Sequence, residues 1–258
     1  MDKYIIPSSY STPLRHVSWS SRRFPNFVFY PKLFGVVIKA AKLAKKGAYS
    51  DEDWVKSSRA IIDLLEMVGV SLEMENVSAI SRLDSPCVFV GNHMSVLETF
   101  VLPWIIQPHV KFTFVVKESL INYPVFKHIM KNRDPIVVGR VNPREDFKQV
   151  LEGGLNRLSQ GISVLIFPQT TRTTQLDPKA FNSIGIKLAK KAGVPVIPFA
   201  LKTDAWGIGR WIKDFGKIDP SKRVRFWFGN PITVSGRGKD EHEAVLQFIM
   251  EKLKNSKG

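Results

Sequence analysis

One cysteine, Cys87, stands in 258 residues. Without a second thiol the chain makes no internal disulfide and no cysteine-built metal site. Its setting, the apolar run Cys87-Val88-Phe89-Val90, marks a buried, inert thiol rather than a nucleophile. Long apolar runs are missing too: no stretch of about 18 residues goes without a charge, so no transmembrane helix is expected. The N-terminus lacks the basic, apolar and small-residue order of a cleaved leader, and the Asn76-Val77-Ser78 sequon is set aside for that reason. There is no Gly-x-Ser-x-Gly elbow and no phosphate-binding P-loop, and Gly207-Ile208-Gly209 is too little for a dinucleotide fingerprint. His16, His109, His128 and His242 share no metal-ligand spacing, so no metal is expected.

Acid is the scarce charge. Thirty-eight basic residues face 23 acidic ones, for a net charge of +15 and a pI near 9.9. That balance calls for an anionic partner: nucleic acid, a membrane surface or a phosphorylated substrate. No zinc spacing, RNA-binding aromatic signature or helix-turn-helix pattern supports nucleic acid, so none is expected as a partner. Nine basic residues and one acid lie between Met1 and Ala48, a concentrated share of the excess. Phe24–Lys46 mixes aromatic and aliphatic residues with lysines, the pattern of a helix lying in the interface of an anionic bilayer; a solvated basic helix is the bland alternative.

What is present after that segment is an alternation of helix and strand. Residues 1–23 read as an irregular arm. Ser50 caps a helix whose first turn is Asp51-Glu52-Asp53 and which Gly69 ends. Strand patterns follow at 70–75, 87–90, 111–116, 136–138, 162–167, 194–201 and 224–228. Helical patterns fall at 95–106, 120–131 (with Pro124 shifting its start), 142–159 (Asn142-Pro143 as cap and first turn), 181–192 (closed by Gly193) and 240–254. The order predicts an α/β fold with a mixed, largely parallel sheet flanked by helices, preceded by an N-terminal basic amphipathic helical membrane-binding segment. The expected division is residues 1–68 for that segment and 69–258 for the α/β domain.

His93, Lys117, Arg140 and Arg172 each fall just past a strand's carboxyl end, where open α/β sheets line their ligand crevice. Glu98 follows His93 by five residues, inside the first turn of the next helix. A carboxylate so placed fixes an imidazole tautomer and supports the cation formed when the ring takes a proton. From these residues alone a satisfied structural histidine, beside an acid favoured by the helix dipole, is an equally open reading. Trp206 and Trp211 suit either a bilayer interface or a packed surface loop.

Four blocks in order carry a resemblance to the glycerolipid acyltransferase family, especially its lysophosphatidic acid acyltransferases. Asn92-His93-x4-Glu98 resembles the family's first block, which normally carries aspartate at the last position. Ile136-Val137-Val138-Gly139-Arg140, Phe167-Pro168-Gln169-Thr170-Thr171-Arg172 and Val194-Pro195-Val196-Ile197-Pro198 resemble the second, third and fourth. The resemblance implies direct acyl transfer from coenzyme A or acyl-carrier protein to a lysophospholipid acceptor, with neither covalent intermediate nor cofactor. It implies His93 as general base and Glu98 as its orienting partner. Asn92, Lys117, Arg140, Gln169, Thr170, Thr171 and Arg172 fall to substrate binding, the arginines and lysine at a phosphate. Backbone amides at the nearby helix start are expected to hold the oxyanion. The implied location is peripheral or monotopic, on the cytoplasmic face of the cell membrane. Three positions depart from the family pattern: Glu98 for aspartate, Gln169 for glutamate and Thr170 for glycine, the last disfavouring a positive φ. These departures leave open a different lysolipid acceptor, or a non-catalytic lipid-binding relative.

Overall fold

Apolar strands with β-branched and aromatic residues stack side by side in a computed structural model describing residues 1, 4–124, 126–169 and 171–256. In chain order they are β1 (Tyr10–Ser11), β2 (Leu72–Glu75), β3 (Val88–Gly91), β4 (Phe112–Lys117), β5 (Ile136–Val138), β6 (Ser163–Ile166), β7 (Val196–Lys202) and β8 (Val224–Phe228). Among the described residues they form one eight-stranded sheet in the order β1-β2-β8-β7-β3-β6-β4-β5. From β7 to β5 the neighbours run parallel, β8 is antiparallel to β7, and β1 is antiparallel to β2. The sheet is mixed and largely parallel, as the alternating pattern predicts.

Period-two alternation sorts the strand residues onto two apolar faces. Phe89, Leu165, Ile197, Phe199 and Leu201 join one cluster, with Phe29, Leu33, Ile62, Leu65 and Val101. Those partners come from α2 (Pro25–Lys45), α3 (Asp51–Met67) and α5 (Leu97–Ile106). Val88, Val90, Val164, Ile166, Val196 and Ala200 face the other way, against α8 (Pro143–Ser159), α9 (Ile184–Ala192) and α10 (Lys239–Asn255). The basic segment's helix α2 thus buries Phe29, Leu33 and Val37 in the same core as the sheet. As the sequence predicts, Ser50 caps α3, Asn142 caps α8 and Gly193 closes α9; the structure adds a reciprocal box between Ser50 and Asp53 and a left-handed Gly193.

Three local expectations are corrected. The arm 1–23 is not wholly irregular: it contains β1 and α1 (Trp19–Arg23). Tertiary contacts order it, with Tyr10 and Thr12 donating to the buried Glu66 carboxylate at 2.5 and 2.9 Å. Those partners lie more than fifty residues away, beyond the reach of a local pattern. The 120–131 segment divides around Pro124 into α6 (Glu118–Ile121) and α7 (Phe126–Asn132), with α4 (Ser78–Ser81) completing the helices named here. The helix expected from Phe181 starts at Ile184, whose amide is accepted by the Asn182 side chain at 3.1 Å.

Candidate active site

β3 is an interior strand, paired in parallel with β7 and β6, and its last residue leaves no room for a side chain: a Cβ on Gly91 would lie 2.4 Å from the Phe199 ring. Asn92 comes next and is buried. Its amide nitrogen donates to the Leu201 carbonyl and its oxygen accepts from the Leu201 N–H, each at 2.9 Å, so its side chain clamps β3 to β7. The His93 N–H then donates to Gln169 Oε1 at 2.7 Å, tying the turn to the loop after β6. His93 is stacked on Phe167, with ring centroids 4.2 Å apart.

The His93 ring meets a fully buried carboxylate. Nδ1 lies 2.9 Å from Glu98 Oε1. An ionised carboxylate only accepts, so Nδ1 carries a proton, and in the neutral ring the lone pair is on Nε2. Oε1 also accepts from the amides of Met94 at 2.7 Å and Ser95 at 2.8 Å. Oε2 accepts from the hydroxyls of Thr203 at 2.7 Å and Ser95 at 3.0 Å. Burial alone would raise the Glu98 carboxyl; the His93 hydrogen bond and charge, the Thr203 hydroxyl and the Ser95 amide together hold it below the ordinary carboxylate range. The extra methylene of Glu98 therefore does not prevent contact with His93. This arrangement also tightens the oxyanion expectation. The amides of His93, Met94 and Ser95 are already donating, and that of Leu97 donates to Ser95 Oγ at 3.1 Å, so these four are not available.

The expected cations lie along the same edge of the sheet. β6 neighbours β3, β4 follows, and β5 is outermost, at about 4.8 Å per strand. Lys117 ends β4 and is exposed. Arg140 follows β5 with φ +58°, unusual for a side-chain-bearing residue, and its amide donates to Asp146 Oδ1 at 3.1 Å. Arg172 is paired with Asp214 at 2.6 Å. Gln169 is buried against His93, Thr171 is exposed, and Thr170 lies outside the described residues. Sequence reasoning missed Thr203, Ser95 and Asp214. Ser95 had a signal, because Ser95-x-x-Glu98 is the pattern of a capping box. Thr203 lies 105 residues from Glu98 and had none.

A family model described as "Acyltransferase" matches residues 71–202, just over half of the chain. The chain belongs to the acyltransferase family. A 1-acyl-sn-glycerol-3-phosphate acyltransferase of Pseudomonas aeruginosa is 32% identical over 153 residues, covering 59% of this chain and 58% of that protein. A protein of the same name from Haemophilus influenzae is 26% identical over 173 residues, 65% of this chain and 68% of that one. The chain spans from about a third to three fifths of the first curated relatives it matches. The crystal structure of PlsC from Thermotoga maritima, a 1-acyl-sn-glycerophosphate acyltransferase, superposes with a TM-score of 0.69. It covers 91% of this chain and 95% of its own at 16% identity, a likeness of fold. The acyltransferase match contains His93, Glu98, Lys117, Arg140 and Arg172, and it ends one residue before Thr203.

A second part of this acyltransferase-family chain faces outward with apolar residues. Phe27, Phe34 and Ile38 of α2 are exposed, as are Ile208, Trp211 and Ile212 of the 207–216 loop, with Trp211 at 92%. Phe215 joins the two regions, 5.6 Å from Tyr30 and 5.4 Å from Phe34 between ring centroids. Trp206 is different. It is buried at 1% exposure, stacked on Phe100 and edge-on to Phe29, so an interfacial position for it is corrected. No described helix is long and apolar enough to cross a membrane.

Proposed function

We propose that this chain transfers a fatty acyl group from a thioester of coenzyme A or acyl-carrier protein to the free hydroxyl of 1-acylglycerol 3-phosphate. The products are phosphatidic acid and the free thiol. The observation that carries this reading is the His93–Glu98 pair at the carboxyl edge of a sheet where Lys117 ends β4 and Arg140 and Arg172 lie in the loops that follow β5 and β6. His93 Nε2 takes the acceptor hydroxyl's proton as its oxygen attacks the thioester carbonyl. The tetrahedral intermediate then expels the thiolate, which receives that proton from the imidazolium. Glu98 holds the ring and offsets its positive charge. Arginine's planar fork suits the acceptor phosphate, with Lys117 as a more mobile point charge.

The reaction takes place at an anionic membrane surface, on the cytoplasmic face, with the chain bound peripherally. Support comes from exposed Phe27, Phe34, Ile38 and Trp211 beside Lys39, Lys42, Arg210 and Lys213, a combination of apolar and basic groups suited to an anionic interface. The names of the Pseudomonas aeruginosa and Haemophilus influenzae relatives support the choice of acceptor.

The test is thiol release from a long-chain acyl-coenzyme A and then acyl-carrier protein, with 1-acylglycerol 3-phosphate, glycerol 3-phosphate and neutral lysolipids offered in turn. Release dependent on the first acceptor and on His93 is expected. Release with another acceptor alone would reassign the substrate. No release with either donor, from folded protein bound to vesicles, would overturn the enzyme reading.

A further inference from the structure

We propose that Thr203 is a positioning residue for His93, acting through Glu98, and that Thr203 and Ser95 set the length of carboxylate this site uses. The inference rests on the acyl-transfer reading for its kinetic consequence, though the geometry is independent of it. Oε1 of Glu98 has N–H donors from His93, Met94 and Ser95. Oε2 has the two hydroxyls of Thr203 and Ser95. Glu98 and Thr203 are both fully buried, so no bulk water replaces a lost donor.

Thr203 is itself held in place. It follows the last residue of β7, and its amide donates to Met94 Sδ at 3.3 Å. Its hydroxyl therefore reaches the carboxylate from a fixed backbone. Removing it leaves Oε2 with one hydroxyl in a buried site, and the carboxylate regains a donor only by rotating. Rotation moves Oε1, and Oε1 is the atom that orients His93. Shortening Glu98 by one methylene draws the carboxylate back toward its own helix, about 1.5 Å from where it now meets His93 and Thr203. One shorter side chain cannot then keep both contacts without a shift of the backbone.

The experiment measures kcat and KM for thioester and acceptor separately, with the imidazole Nδ1–H proton resonance of His93 followed by NMR and assigned by its loss in His93→Gln. Thr203→Val, nearly equal in volume but lacking the hydroxyl, is expected to lower kcat about 10- to 100-fold, with both KM values within about twofold. Thr203→Ser is expected to restore kcat to within about threefold of the parent, because the donor returns. Glu98→Asp is expected to lower kcat by a similar factor, and Thr203→Val in that background to add little, since the shorter carboxylate no longer uses the hydroxyl. The Nδ1–H resonance should shift in Thr203→Val and Glu98→Asp and return in Thr203→Ser. Parent kcat in Thr203→Val, or in Glu98→Asp, would overturn the proposal. If Thr203→Val fails to fold, Glu98→Asp and Thr203→Ser decide it. If the parent shows no turnover, the acyl-transfer reading falls, and an unmoved Nδ1–H resonance would overturn the positioning role as well.

Discussion

The two halves of the candidate site are built on opposite terms. The His93–Glu98 half is buried and over-determined: five hydrogen bonds converge on one carboxylate at the start of α5, and the strand that leads to His93 is paired in parallel on both sides. The cationic half lies at strand ends facing solvent, with Lys117 and Arg140 exposed and Arg172 paired to a loop carboxylate. The difference follows from the tasks proposed for them. A general base gains from fixed geometry that costs no reorganisation at the moment of reaction. Groups that receive a lipid headgroup from a membrane must be reachable and must exchange partners. Rigidity belongs to the proton, and adaptability to the phosphate.

His93→Ala breaks the contrast most severely. Thiol release should fall about 10²- to 10⁴-fold with little change in KM, because a general base contributes to the barrier rather than to binding. An unchanged thermal midpoint would show that the fold persists. Arg172→Ala tests the other half and should mainly raise the KM for the acceptor, roughly 10- to 100-fold, as a charge-assisted contact is removed. A third change affects the surface that receives the lipid. Trp211→Ala should weaken sedimentation with anionic vesicles roughly tenfold, the scale of one lost aromatic contact. Asp214→Asn sharpens the comparison. Arg172 now lies 2.6 Å from the Asp214 carboxylate. In the proposed reaction an acceptor phosphate displaces that partner, so the acceptor KM should fall, by roughly threefold for a partly exposed pair.

The smallest effect concerns acid stability. Glu98 is held below its ordinary value of 4.5, so its contribution to stability is complete above that pH and is lost as pH falls through the lower folded value. Urea unfolding of the parent should weaken with acidification below about 4.5. Glu98→Gln, less stable at neutral pH, should show a smaller dependence because it has nothing to protonate there.

Much of this was legible because it is local. The Ser50 cap, the Asn142 cap and the Gly193 stop are contacts within a few residues, and each was readable from spacing. The strand ends bearing His93, Lys117, Arg140 and Arg172 followed from where apolar runs break. The arm 1–23 was not readable, because Glu66 and β2 order it from far along the chain. Gln169 looked like a lost charge beside the acceptor; its side chain instead accepts the His93 amide. Trp206 and Trp211 are near neighbours with opposite fates, one packed among Phe29, Phe100 and Tyr30 and the other in solvent. Only the arrival of α2 and α5 at that loop distinguishes them.

The position of β3 between β7 and β6 has a consequence for how this protein fails. A strand paired on both sides, with helices covering each face, is exposed by whole-molecule unfolding rather than by fraying. The Val88–Gly91 amides should be among the slowest in the chain to exchange with deuterium. Heat should then extinguish turnover and structure along the same curve, with no folded but inactive species in between.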